Sequence, residues 1–348
     1  MFFPLSTTTA KRQANSRFLQ AGNRMIAGLL FLALPLFLSG CALFPAERLP
    51  LAPGRPDKAM VAGVPFFAQE ELQCGPAALA MALNWSGVAV QPADLTPEVF
   101  TPGLKGSLQS ALLGAARRHG RAGYPITGSE PLLAEVAAGH PVIVLLNLGF
   151  SWYPKWHYGV VIGYDQEQGE VILHSGLTAS EHLSYRVFLN TWQRSECWGL
   201  LVLPPDRLPA TAEEEPWLAA VAGLERTGQW KGAAAGYGAA LKRWPESFGA
   251  WMGLGNSRYQ LHDLAGSAEA FRRATLLQPK NGIPFNNLAQ VLNEQGKRKE
   301  ALASAQRAVE LGGPLLANFR QTLEEIKAKP AHKNVRKHKK HPSRRTAN

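Results

Sequence analysis

Residues 69–86, Gln-Glu-Glu-Leu-Gln-Cys-Gly-Pro-Ala-Ala-Leu-Ala-Met-Ala-Leu-Asn-Trp-Ser, set Cys74 directly before Gly75 and Pro76 and then run into an Ala/Leu-rich amphipathic segment. Proline is favoured in the first helical turn, where its missing N–H would have no partner anyway, so Pro76 marks a helix start. A cysteine at that place meets unpaired backbone N–H groups and the positive end of the helix dipole, and both stabilise a thiolate. The stretch therefore offers a nucleophile at Cys74, on a helix that runs to Ser86 and is ended by Gly87.

Working outward, Val64 to Phe67 reads as a short opening strand. The spacing of Leu108, Ala111, Leu112, Ala115 and Ala116 predicts a second helix over 107–118, and Ser129 and Gly139 bracket a short third one over 131–138. The period then changes. Residues 141–148, 157–164 and 170–174 are β-branched-rich runs bounded by Gly and Asp and read as successive strands. A last helix over 185–194, with Phe188 and Trp192 on one face, precedes a strand over 198–203. Helices first and a mostly antiparallel sheet afterwards describe an α+β domain over 61–205.

Three features resemble the bacteriocin-processing, double-glycine leader peptidases, which are papain-like cysteine peptidases. They are Gln69 five residues before Cys74, the Cys-Gly-Pro-Ala-Ala-Leu-Ala-Met run, and His157-Tyr-Gly-Val-Val-Ile-Gly-Tyr-Asp 83 residues after the cysteine. The resemblance covers residues 61 to about 203. It implies an α+β papain-like fold with a Cys helix packed on a sheet, peptide-bond cleavage through an acyl-enzyme, and no cofactor. Cys74 would be the nucleophile and His157 the base that takes its proton and later protonates the leaving amine. Gln69 would donate its amide N–H to the tetrahedral oxyanion beside the backbone N–H of Cys74.

The third catalytic position departs from that family, which places an acidic residue at the end of the strand after the histidine strand. Val171-Ile-Leu-His-Ser-Gly occupies the stretch here, and Ser175 aligns with the acid. A hairpin turning about Glu167 puts Ser175 on the face of His157, whereas a one-residue bulge would put His174 there. Serine can orient an imidazole but cannot stabilise the imidazolium as a carboxylate does. Two functions are therefore carried forward: a cysteine peptidase, and a weakened peptidase fold used as a binding or assembly module. Acyl transfer to an amine would use the same site.

Other residues rank lower. The loop Gly149-Phe-Ser-Trp-Tyr-Pro-Lys-Trp156 lines a peptide cleft or packs on the domain edge, and the segment 88–106, with three prolines, borders the same cleft without carrying chemistry. His119, His140 and His182 lack metal-ligand spacing and read as surface or loop residues. Cys197 reads as a buried small hydrophobe in the strand Cys-Trp-Gly-Leu-Leu-Val-Leu, with a Cys74–Cys197 disulfide as the alternative in an oxidising compartment. No metal site is expected.

Upstream, Met25 to Phe37 is an uncharged run of 13 behind basic residues, too short for a comfortable membrane span, and Leu38-Ser39-Gly40-Cys41 follows it. This resembles the signal peptide (1–40) and lipobox of bacterial lipoproteins, which implies lipidation of Cys41; Ala42 after it favours the outer membrane, facing the periplasm. Residues 41–60 are Pro-rich and read as a tether.

Downstream of a linker over 206–215, Trp217, Trp251 and Phe285 recur 34 residues apart, as do Tyr237, Phe271 and Ala305, and Ala240, Ala274 and Ala308. That period resembles the tetratricopeptide repeat, and residues 216–328 read as three helix pairs and a last helix in an all-α solenoid. Such solenoids imply a protein partner. Of 37 Lys and Arg, four precede the hydrophobic run and nine fall in the last 22 residues, leaving 24 against 26 Asp and Glu. The folded middle is close to neutral, and nucleic acid is not an expected partner. The basic tail 329–348 reads as disordered.

Overall fold

The helix that opens at Cys74, α1 (Cys74–Trp85), is buried from Gly75 to Leu83. It is apolar on all sides, so it is an internal helix rather than the amphipathic one that its sequence suggests. The protein is described here by a computed structural model over residues 49–69 and 72–328, which fall in one compact unit. The export segment, Cys41, Glu70, Glu71 and the basic tail lie outside the described residues.

Three helices cover one face of a sheet: α1, α2 (Pro92–Val99) and α3 (Gln109–Arg118). The sheet comprises β1 (Lys58–Met60), β4 (Ala122–Thr127), β5 (Val142–Asn147), β6 (Trp156–Asp165), β7 (Glu170–Ser175), β8 (Thr178–Ser184) and β9 (Trp198–Leu203). A two-residue hairpin, β2 (Phe100–Thr101) with β3 (Gly106–Ser107), leads from α2 into α3. The strand order is β4-β9-β5-β6-β7-β8, with β1 beside the far end of β6, and every pairing is antiparallel. The opposite face carries α4 (Ser129–Ala137) and α5 (Tyr185–Trp192).

Several details differ from the sequence reading. Val64 to Phe67 is loop, and the first strand is β1, inside the stretch read as tether. The strand β4 was not foreseen because Gly123 and Pro125 interrupt its apolar pattern, and β8 because its Thr-Ala-Ser-Glu-His-Leu-Ser sequence is largely exposed. Cys197 precedes β9 in a left-handed conformation (φ 52°) and is half-buried. It packs on the α4/α5 side whereas Cys74 packs on the α1 side, so the sheet separates two free thiols and the disulfide alternative fails. His140, read as a surface or loop residue, lies in the loop after α4, where it is buried and bonds Glu135 (2.6 Å).

The repeats follow as α6 (Glu214–Glu225), α7 (Trp230–Arg243), α8 (Phe248–Gln260), α9 (Leu264–Leu277), α10 (Gly282–Glu294), α11 (Arg298–Leu311) and α12 (Leu316–Ala328). First helices start at 214, 248, 282 and 316 and second helices at 230, 264 and 298, so the 34-residue period sets every start. Ala240, Ala274, Ala305 and Ala308 are fully buried, which lets neighbouring helices approach closely.

The solenoid is not a separate bead. Trp217 of α6 is fully buried, meets the ring of Tyr124 on β4 (6.4 Å) and belongs to the same core as Leu201 and Val142. The buried Glu135 carboxylate fastens the connection, accepting from the backbone amides of Ala210 (3.1 Å) and Thr211 (2.7 Å) and from the Thr211 hydroxyl (2.6 Å). These hydrogen bonds and His140 hold Glu135 below the usual carboxylate range even though burial alone would raise it.

Candidate active site

Cys74 is the first residue of α1, and Gly75 follows it because nothing larger fits: a Cβ there would lie 2.5 Å from Cβ of Ser107. The backbone amides of Tyr158, Gly75 and Cys74 favour the thiolate, but burial is the larger effect and raises the Cys74 pKa. The lowered value expected from the helix N-terminus is thus reversed, because the sulfur is partly withdrawn from solvent among apolar groups.

His157 is the second residue of β6, and Ser175 ends β7. Their side chains meet, with His157 Nε2 3.0 Å from Ser175 Oγ. The register behind this contact has two offsets. The hairpin closes on the pair Asp165/Glu170, a register that, continued, would set His174 beside His157. Between Val161 and Gly163 the pairing shifts by one residue, so that Val160 opposes His174 and Ser175 comes to the His157 face. The His174 ring instead meets the Val64 carbonyl (3.3 Å), accepts from the Ser180 amide (3.0 Å) and packs on Phe66, which makes it a fastener of the chain leading to Gln69.

Gln69 is buried and held at both ends of its amide. Its Nε2 donates to the Tyr158 carbonyl (3.0 Å), and its Oε1 accepts from the Gly176 amide (3.0 Å). The Gln69 backbone N–H also donates to the Gly176 carbonyl (2.9 Å), so Gln69 is tied to the turn that follows Ser175. One Nε2 hydrogen is left for a ligand.

Cys74, His157 and Gln69 line one cleft of about 990 Å3. No hydrogen bond among the described residues joins the thiol to the imidazole. Tyr158, Val160 and Ile162 pack under α1, while His157, at the open start of β6, turns its Nε2 to Ser175 and lines the cleft with Cys74. Burial lowers the His157 pKa, and with the raised Cys74 pKa this favours a neutral thiol and a neutral imidazole in the cleft. Sequence reasoning missed Arg194, Ser195 and Glu196, which enter the cleft from the turn after α5; Lys105, on the β2–β3 hairpin, falls in the segment 88–106 read as bordering it. Polar residues in loops carry no periodic signal that could have found them. Among the described residues, no group of three or more His, Cys, Asp or Glu is placed to hold a metal.

Residues 61–199 match the Peptidase_C39 like family, and residues 218–282 and 254–315 match the tetratricopeptide repeat. Residues 61–199 are thus a C39-like peptidase domain, and tetratricopeptide repeats follow it over 218–315. Among solved structures, a C39-like peptidase from Bacillus anthracis is 20% identical, with a TM-score of 0.36, covering 42% of this chain and 97% of that one. The Yersinia enterocolitica type III secretion chaperone SycD in complex with a peptide of the translocator YopD is 18% identical (TM-score 0.31), covering 32% of this chain and 91% of its own. The TPR2B-domain:pHsp70 complex of yeast Sti1 is 14% identical (TM-score 0.32), covering 33% of this chain and 95% of that one. No curated protein matches the chain.

Proposed function

We propose that the double-glycine-peptidase-like domain is a cysteine peptidase that cleaves a peptide or protein through Cys74 and His157, with the repeats holding a protein partner. The observation that carries this reading is the cleft itself, where a helix-start thiol, an imidazole and an amide donor converge. In the reactive tautomer His157 Nε2–H donates to Ser175 Oγ, leaving Nδ1 to take the proton of Cys74. Thiolate attack on the scissile carbonyl carbon forms a tetrahedral oxyanion. The free Nε2 hydrogen of Gln69 and the Cys74 backbone amide stabilise it, each such donor contributing about 10²–10³ in rate. His157 returns its proton to the leaving amine, and water, activated by the same ring, releases the acyl group from Cys74. The lipobox reading of Cys41 would place this chemistry at the cell envelope, on the outer membrane facing the periplasm, where the thiol must be kept reduced.

A second reading keeps the cleft for binding without turnover, as an assembly module. It is favoured by the serine at the third position and by the missing thiol–imidazole hydrogen bond. Digestion of a diverse peptide mixture, with new termini read by mass spectrometry, separates the two. Termini made by the wild type and lost in Cys74→Ala support the peptidase, and none above that variant's background supports the binding module. Incorporation of heavy oxygen from labelled water at those termini distinguishes hydrolysis from transfer to an amine.

A further inference from the structure

Among its described residues, the cleft has an apolar, cationic rim that the chemistry at Cys74 does not use. Phe150, Trp152, Tyr153 and Trp156 are 63%, 79%, 62% and 51% exposed, all within the connection that delivers His157. Across the cleft, Leu72, Leu104 and Leu108 are also exposed. Single exposed apolar residues need no explanation, but a contiguous patch marks an interaction site.

This connection is built rather than loose. The buried Asn147 Oδ1 accepts from the amides of Gly149 (2.9 Å) and Lys155 (3.0 Å), and the Leu148 amide donates to the Lys155 carbonyl (2.9 Å). Phe150 and Tyr153 exchange both backbone hydrogen bonds (3.1 Å each). Arg194 Nη1 closes the base, donating to the carbonyls of Asn147 (3.2 Å) and Gly149 (2.6 Å). A Cβ on Gly149 would lie 2.9 Å from the Lys155 amide nitrogen, so only glycine allows the loop to fold this tightly. With its backbone satisfied, the loop presents the rings in fixed positions, Phe150 and Trp152 stacked at 5.5 Å with a 5° interplanar angle. Lys105, Lys155 and Arg194 stand around the same cleft with Glu196 as the one acidic residue among its described lining, and none of the three cations has an ion pair among the described residues.

We propose that residues 148–156 are a recognition platform, and that the cleft selects an extended peptide carrying large apolar and acidic side chains beside the bond presented to Cys74. The rings supply rigid contact area at little entropy cost, and the cations supply charge complementarity. The platform continues directly into the cleft through Trp156, which is why a peptide, rather than a lipid or glycan surface, is its occupant. The proposal rests on the peptidase reading of that cleft.

The test uses the full chain carrying Cys74→Ala, so that binding is measured without turnover. Three fluorescein-labelled peptides are compared by anisotropy: one with Leu/Phe and Asp/Glu, one with Leu/Phe and Lys, and one with Ser/Gly and Asp/Glu. The first is expected to bind about tenfold or more tightly than either of the others, a difference of one good contact. Added salt should erase the preference over the lysine peptide and spare the preference over the Ser/Gly peptide. Trp152→Ala, at an exposed position that does not threaten folding, should weaken the first peptide about fivefold to tenfold with an unchanged melting curve. Equal affinities for the three peptides, a Trp152→Ala and Tyr153→Ala pair with undiminished binding, or tighter binding to phosphatidylglycerol vesicles or soluble glycan strands would overturn the proposal. Peptide hydrolysis by the wild type is scored separately: selection without hydrolysis removes the peptidase reading and leaves the platform, and hydrolysis without selection does the reverse.

Discussion

Replacing Ser175 with Asp would put a carboxylate where this chain has a hydroxyl 3.0 Å from His157 Nε2. Opposite charges about 4 Å apart at an effective dielectric of about 20 attract by about 4 kcal/mol. Both residues are half-buried and solvent screens part of this attraction, but enough remains to raise the His157 pKa above its burial-lowered wild-type value. A charged imidazole in turn lowers the Cys74 pKa, so the thiolate–imidazolium pair that burial disfavours in the wild type becomes populated. The assay is the pH dependence of Cys74 alkylation by iodoacetamide, resolved by mass spectrometry, with Cys197 as an internal reference. The wild type should show one rise, above the ordinary thiol range of about 8.5. Ser175→Asp should add a shoulder on the acid side and react about tenfold or more faster near pH 6. Ser175→Asn, similar in size and uncharged, should not. Superimposable profiles for Asp and wild type would refute the assignment of Ser175 as the group that orients His157.

Four further outcomes follow from the same geometry. Because burial lowers the His157 pKa, the ring stays a neutral base to lower pH than an ordinary histidine; the acid limb of kcat/KM should fall below about 6.5, and a limb above that value contradicts the burial argument. Gly75→Ala forces its Cβ into Ser107 and should destabilise the fold by about 1–3 kcal/mol, seen as a lower urea midpoint, and slow Cys74 labelling. Trp217→Ala empties a site shared by the sheet and the first repeat; a loss of about 3–5 kcal/mol in one cooperative calorimetric transition is expected, and two unchanged transitions would show that the halves fold independently. The lowered Glu135 pKa contributes stability that is present above the unfolded carboxylate value of about 4.3 and is lost as pH falls through the folded one, so Glu135→Gln should flatten the acid side of the stability profile.

The repeats were legible because a fixed period acts on every residue at once, and each helix start obeys it. The Cys helix was legible from Pro76 and the apolar run, but not its depth, since burial depends on which elements cover it. Cys74, Gln69 and His157 were found through short motifs, while the protonation of Cys74 was misjudged: the helix terminus is visible in sequence and the desolvation of the sulfur is not. Ser175 could be named against His174 only as one of two options, because a single unpaired residue near Ile162 decides the face and leaves no mark in composition. The strands β4 and β8 escaped because their pairing partners, rather than their own patterns, hold them in the sheet. The contact between sheet and solenoid escaped for the same reason, since Trp217 carries a repeat signature and a domain-interface role at one position.

Labelling of the reduced chain by a peptidyl acyloxymethyl ketone, with the rate at each cysteine read by mass spectrometry, tests the pairing of Cys74 with His157 most directly. Both free thiols among the described residues have pKa values raised by burial, so thiol acidity alone does not favour Cys74 over Cys197, and a faster Cys74 must draw on the cleft and on His157. The account predicts that Cys74 labels at least about tenfold faster than Cys197 and that His157→Ala removes the advantage. Labelling of Cys74 that is indifferent to His157→Ala, or of Cys197 as fast as Cys74, would contradict it.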